Sequence, residues 1–166
     1  MDEISVTVSG PADGTAPALL HDYFADMVGR YYARPAGDAE VAAVMREDPS
    51  DDLRGSTGVF VVARQSGSVA GCGGVRFLGA DRGEFDGVGE LTRIFVEPAA
   101  RGRGVGKNIV RRLEALAREA GVTLLRLDTR SDLVEARSLY ARLGYDEVAP
   151  FNSAPYAEHW FSKTLE

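Results

Sequence analysis

Arg101-Gly102-Arg103-Gly104-Val105-Gly106-Lys107 places three cations and three glycines in seven consecutive residues. That pattern suits a phosphate-bearing ligand. Cations offset its charge and glycines let it approach the backbone. A helix N-terminus adds unpaired N–H groups at the positive end of a dipole. The flanks agree. Leu91-Thr92-Arg93-Ile94-Phe95-Val96 reads as a strand, ended by Pro98, which has no N–H to give to a ladder. Ile109, Val110, Leu113, Leu116 and Ala117 follow at helical spacing. The order is strand, basic glycine loop, helix.

Two familiar phosphate loops do not fit. The P-loop needs a glycine where Arg101 stands, and Ser or Thr where Asn108 stands. A dinucleotide fingerprint begun at Gly102 and Gly104 would need its third glycine at Lys107. What fits is Arg-x-x-Gly-x-Gly, filled by Arg101, Gly104 and Gly106. Ahead of it stands Glu90-Leu91-Thr92-Arg93-Ile94-Phe95-Val96-Glu97-Pro98, and behind it Ala136-Arg137-Ser138-Leu139-Tyr140-Ala141-Arg142-Leu143-Gly144-Tyr145. Together these blocks resemble the GCN5-related N-acetyltransferases, over residues 58–166; the N-terminal part matches in element order only. Without that context the loop also reads as a solvated turn or an RNA contact.

The resemblance implies an acetyl-CoA-dependent N-acetyltransferase with acetyl-CoA as co-substrate and an amine as acceptor. Phe95 and Val96 would offer backbone groups to the pantetheine. Arg101, Gly102, Arg103, Gly104, Val105, Gly106 and Lys107 would hold the pyrophosphate. Acyl transfer to an amine needs a base for the ammonium proton, a polarised thioester carbonyl and a proton for the departing thiolate. Tyr140 matches the family's general acid; a phenol titrates near about 10, so it is protonated at neutral pH. Its other reading is a packing residue on an amphipathic helix. Glu90 is the candidate base, with a structural carboxylate as the alternative; Glu84 and Asp86 are weaker candidates. One departure stands out: Leu133 occupies a position where many members carry a cofactor-contacting asparagine.

The whole chain bounds the partners. Its 166 residues, 45% apolar, suit one domain over 1–166. A net charge of −6 disfavours nucleic acid and anionic membranes and tolerates a cationic amine. The lone cysteine, Cys72, lies in an apolar run, fits a reducing compartment and reads as an inert buried thiol. The acidic start, Met1-Asp2-Glu3-Ile4, is not a signal peptide, and no apolar run approaches a membrane span. A cytoplasmic protein without a metal site is expected; a homodimer is admitted by resemblance only.

The remaining elements follow from periodicity. Ile4, Val6 and Val8 alternate as a strand, and Leu19 to Tyr32 has helical spacing ending near Pro35. A short helix should cover Ala39 to Glu47 with Asp38 as N-cap, followed by a polar loop at 48–52. Val59–Ala63 and Val69–Phe77 are strands joined at Ser66-Gly67; the second holds a glycine cluster that should mark a bend or close approach. After the polar connection 80–87 come a strand at 89–96, the loop, a helix from about Gly104 to Ala120, and a strand at 124–129. A helix at 133–143 and strands at 145–148 and 157–164 complete the chain. His159 and Trp160 in the last strand, and Tyr23, Tyr31 and Tyr32, could line an acceptor pocket, but core or edge positions are the simpler reading. The expected architecture is α/β (α+β). A mixed, mostly antiparallel central sheet of about six to seven strands carries helices on both faces. That is also the acyl-CoA acyltransferase fold implied by the resemblance.

Three functions compete. The first is acetyl transfer to a primary amine of a small molecule in a ternary complex. The second is a protein lysine or N-terminal acetyltransferase. The third is a non-catalytic acyl-CoA-binding module.

Overall fold

The computed structural model describes residues 3–166; Met1 and Asp2, part of the acidic start, lie outside them. The chain runs β1 (Ile4–Val8), α1 (Ala16–Tyr32), α2 (Asp38–Glu47), β2 (Gly58–Gln65), β3 (Ser68–Phe77) and β4 (Val88–Val96). It continues as α3 (Val105–Glu119), β5 (Leu124–Thr129), α4 (Val134–Arg142), β6 (Asp146–Val148) and β7 (His159–Thr164). The strands form one seven-stranded sheet in the order β1-β2-β3-β4-β5-β7-β6. β4 and β5 are parallel, with α3 as their crossover; the other neighbours are antiparallel.

Two apolar layers hold the helices to the sheet. On one face Ile109, Val110, Leu113 and Ala117 of α3 pack with Val61, Val75, Leu91 and Leu125, and Tyr140 of α4 joins them. On the other, Leu19 and Leu20 of α1 pack with Phe60, Val62, Cys72 and Phe95. The spacing of these residues is why α3 buries one stripe and leaves Arg111, Arg112 and Arg118 in solvent. Gly121, at φ 93°, ends α3, and Val122 N–H returns to Ala117 O at 2.9 Å.

Turn chemistry matches the sequence closely. Ser66 and Gly67 have φ of 51° and 84°, a primed turn whose twist suits a hairpin. One cap differs: α2 is capped by Gly37, and Asp38 is its first helical residue. Glu40 Oε1 accepts the Gly37 N–H at 3.4 Å, one half of a capping box, and no side chain caps the first-turn N–H groups as expected of Asp38.

The glycine cluster of β3 is a close-approach site. A Cβ on Gly71 would lie 2.3 Å from Phe95 O, and one on Gly73 would lie 2.7 Å from side-chain carbons of Ile109 and Ile94. Opposite it, β4 bulges. Thr92 pairs with Gly74 and Phe95 with Cys72, so Arg93 and Ile94 together face the single residue Gly73. Arg93 takes φ 59°, uncommon for a residue with a side chain. The extra residue changes the phase of the strand: Leu91 lies in the α3 layer and Phe95, four residues on, in the α1 layer.

Gly71→Ala should therefore push β3 from β4 and lower stability by about 1–3 kcal/mol, the usual cost of overpacking, measured by denaturant unfolding.

Candidate acyl-transfer site

β4 and β5 pair only over Val88–Leu124, Gly89–Leu125 and Glu90–Arg126. Beyond that point β5 stays with β7 as far as Thr129–His159, while β4 bulges and departs. The strands part like a wedge, and a cleft of about 1280 Å³ opens there. The glycine loop lines one end and Ile94, Phe95 and Val96 its middle; Tyr23, Arg76, Glu90 and Asp128 line the other end.

The loop end is open backbone. Gly102 and Gly104 have φ of 78° and 87°, and beyond their chain neighbours no protein atom lies within 3.5 Å of where their Cβ atoms would stand. Gly104 is the N-cap of α3. The first-turn N–H groups of Val105, Gly106 and Lys107 thus have no partner within the helix. Asn108 Nδ2 donates to Gly104 O at 2.7 Å and closes the turn. Gly106 faces α4; a Cβ there would meet Leu139 at 3.2 Å. Arg101 Nε donates to Val96 O at 2.9 Å and so ties the loop to the open edge of β4. Arg101, Lys107 and Arg111 line the cleft, but the Arg103 side chain does not: it lines a shallow depression beside Gln65, Ser68 and Glu97. Gly102, at φ 78°, turns the chain between Arg101 and Arg103 and sends the two side chains to different sides, which the charge count of the sequence could not resolve.

Tyr140 is 5% exposed, its ring between those of Tyr145 and Phe161 at 5.7 and 6.1 Å. It packs in the core and also borders the cleft, so the two readings of this residue are compatible. Its hydroxyl makes no hydrogen bond to another described residue. Burial pushes the phenol up, with Tyr23 and Asp128 adding to the effect. Tyr23, also on the cleft, is pushed up by burial to about 12, against the pull of Arg93.

Glu90 lies at the start of the parting, its side chain 22% exposed. Arg76 Nη1 reaches its Oε1 at 3.3 Å, while the same guanidinium donates to both carboxylate oxygens of Asp52, at 2.5 and 3.3 Å. Burial raises the Glu90 carboxyl above its ordinary range, and Arg76 pulls it back only in part. Glu84 and Asp86 are not brought to the cleft: both are exposed, and Glu84 pairs with Arg82 at 3.4 Å. Leu133 borders the cleft as the N-cap of α4, and Asp132 turns away to Arg130 at 2.8 Å.

Sequence reasoning passed over Arg93. It is 4% exposed, yet charged. Its guanidinium donates to Asp48 O at 3.0 Å, Ser50 Oγ at 3.2 Å and Thr92 Oγ1 at 2.9 Å. It also pairs with the Asp48 carboxylate at 3.0 Å and lies 5.0 Å over the Phe24 ring. The polar 48–52 loop is thus clamped over the sheet. An arginine inside an apolar strand was the available signal. Of the aromatics weighed from the sequence, Tyr31 borders the cleft beside Tyr156, with ring centroids 4.7 Å apart. Trp160 donates its N–H to Asn152 Oδ1 at 2.9 Å, and His159 is held outside the cleft by Ser131 and Glu147, at 3.0 and 2.9 Å. Cys72 is buried, its thiol pushed up by desolvation and its Sγ 3.4 Å from Arg93 O. Among the described residues no group of three or more His, Cys, Asp or Glu could hold a metal ion, and no helix is long and apolar enough to cross a membrane.

Comparison with known proteins agrees with this geometry. A model of the Acetyltransferase (GNAT) family matches residues 20–145. The chain is 36% identical to the IAA acetyltransferase of Azospirillum brasilense over 64% of its own length and 65% of that protein's. It is likewise 36% identical to the N-alpha-acetyltransferase RimI of Mycobacterium tuberculosis over 54% of its length and 52% of that protein's. The alignments thus span only about half to two thirds of these relatives. The crystal structure of the paia N-acetyltransferase from Thermoplasma acidophilum, in complex with coenzyme A, superposes with a TM-score of 0.70. It does so at 15% identity, covering 98% of this chain and 99% of that one, which shows a shared fold. The chain belongs to the Acetyltransferase (GNAT) family.

Two measurements check the site's framework. Arg93→Met should cost about 2–4 kcal/mol, because it strands carbonyls that a charged donor now satisfies; thermal unfolding reads this. At the end of β4, burial and a hydrogen bond shared with Asp22 raise Glu97 from 4.5 to about 7. A carboxyl raised in the folded state makes folding weaken as pH climbs from 4.5 to about 7, because the unfolded chain gives up the proton first. Glu97→Gln should remove that fall, so its midpoint temperature relative to the wild type rises between pH 5 and pH 8, at about those values.

Proposed function

We propose that this protein moves an acetyl group from acetyl-CoA to a primary amine of a small-molecule acceptor, directly, in a ternary complex. The observation that carries the reading is the parting of β4 from β5, with a glycine loop at one end and a buried tyrosine bordering it. Acetyl-CoA would bring the activated acetyl thioester. The wedge suits it: the open edge of β4 at Phe95 and Val96 can take pantetheine amides. The space over Gly102 and Gly104, with Arg101 and Lys107, can take a pyrophosphate.

Each remaining step falls to a side chain of this protein. Glu90 takes the ammonium proton of the acceptor, directly or through water. Arg76 keeps it ionised against its burial, and burial keeps it basic enough to act. Tyr140 keeps its proton well past neutral pH and gives it to the departing thiolate. Holding two substrates in one cleft supplies the rest of the rate. We read the acceptor as small because Tyr31 and Tyr156, packed edge to face at 4.7 Å, both border the cleft and would crowd a larger one. The likeness to an N-alpha-acetyltransferase supports a second reading, a peptide N-terminus as acceptor. A panel of small amines against peptide amines, followed by thiol release, separates the two. A cytoplasmic enzyme without nucleic-acid partners accords with the net charge of −6.

Titration with acetyl-CoA should show binding by the wild type that falls at least about tenfold in Arg101→Ala/Lys107→Ala, as expected for loss of charge-assisted contacts. Absence of binding by the wild type would remove the assignment. Tyr140→Phe should bind acetyl-CoA as the wild type does and lose about 10²–10⁴-fold in kcat. An unchanged kcat would remove the tyrosine from the mechanism.

A further inference from the structure

We infer that Asp128 receives the ammonium group of the acceptor, held ready for it by Asn152 and Trp160. The inference rests on the acyl-transfer reading of the same cleft and adds to it the residue that recognises the acceptor's charge.

Place comes first. Arg126 is the last residue of β5 that pairs with β4, opposite Glu90. Asp128 lies two residues on, so it shares that face of the sheet and stands just beyond the parting. It borders the cleft with Glu90, Tyr23 and Tyr140, and its charge acts on all three.

Orientation comes second. Asp128 Oδ2 accepts from Asn152 Nδ2 at 3.0 Å. The amide cannot be turned round. Its Oδ1 accepts the Trp160 indole N–H at 2.9 Å and the Ala154 N–H at 3.3 Å, and both of those groups can only donate. The Nδ2 must therefore face Asp128. One carboxylate oxygen is engaged by a neutral donor, and Oδ1 keeps its lone pairs for something else.

Charge comes third. Most of the arginines nearby are paired with carboxylates: Arg76 with Asp52 and Glu90, Arg93 with Asp48, Arg130 with Asp132, Arg30 with Asp26 and Glu135; Arg126, two residues before Asp128, makes no ion pair among the described residues and lies 4.4 Å over the Phe151 ring instead. Asp128 has no ion pair among the described residues. A part-buried, oriented carboxylate without a counter-ion, in a cleft with phenol rings beside it, is built for a small cation. The two carboxylates then divide the work. Arg76 keeps a cation from settling on Glu90, and Asp128 holds the ammonium beside it until a proton is taken.

The test uses coenzyme A thioethers, so the natural acceptor need not be known. S-(3-aminopropyl)-CoA carries an ammonium where S-butyl-CoA carries a methyl group. The wild type should bind the ammonium thioether about tenfold more tightly, the scale of one charge-assisted hydrogen bond. Asp128→Asn, with wild-type thermal unfolding and unchanged affinity for CoA itself, should reduce that ratio to about one. A preference that survives in Asp128→Asn, or a wild type that binds CoA but shows no preference, overturns the assignment of Asp128 alone. A wild type that binds none of the three ligands overturns the acyl-transfer reading, and this inference with it.

Discussion

A strand can satisfy two neighbours only while its register suits both; β4 pairs with β5 only as far as Glu90 and bulges three residues on, at Arg93 and Ile94. The extra residue opposite Gly73 bends the strand away from β5. What fixes the bend is a buried guanidinium. Arg93 cannot leave without stranding Asp48 O, Ser50 Oγ and Thr92 Oγ1, and it cannot straighten without carrying the 48–52 loop with it. A left-handed residue persists where its surroundings over-determine it. That bend lies where the wedge opens, and beyond it the edge of β4 that faced β5 is left open.

The open edge has a consequence for the loop. Backbone groups that lose a sheet partner must find another. At Val96 the partner is Arg101, which reaches back from the far side of the glycine turn. Strand edge and basic loop are therefore one unit. The charges are divided along the cleft in the same spirit. At the loop end neither Lys107 nor Arg111 has an ion pair among the described residues, so positive charge is left for an anion. At the other end the arginines are matched by carboxylates, and the excess is negative. A chain of net charge −6 can thus carry unpaired positive charge at one end of a cleft and an excess of negative charge at the other.

Much of this was legible in the sequence because it depends on local rules. Period-2 and period-3.6 patterns gave the strands and helices, Ser66-Gly67 gave its turn, and the glycines of β3 marked a close approach that the structure shows against Phe95 and Ile109. The place of the loop ahead of α3 and of Tyr140 on α4 was readable because each lies in a contiguous block. What could not be read depends on residues far apart in the chain. The Arg93 clamp joins positions more than forty residues apart, and the Asp128–Asn152–Trp160 chain joins two strands and a loop. The outward turn of Arg103 and the capping of α2 by Gly37 depend on local dihedral angles that composition leaves open.

The block ending in Gly144-Tyr145 also shows how one segment can carry two tyrosines with different duties. Tyr145 Oη donates to Glu114 Oε2 at 2.8 Å, and Lys163 Nζ donates to the same oxygen at 3.0 Å and to Leu143 O at 2.8 Å. A buried carboxylate so shared ties α3, the end of α4 and β7 together. Its phenol is committed, and both burial and that carboxylate hold it protonated. Tyr140, one turn earlier, receives the benefit. Its carbonyl accepts the Tyr145 N–H at 3.0 Å and its ring rests on Tyr145 and Phe161, so its height in the cleft is fixed by contacts that leave its hydroxyl unengaged. Of the two buried phenols in this block, only that of Tyr145 has a hydrogen-bond partner among the described residues, and Tyr140 borders the cleft with its hydroxyl unengaged.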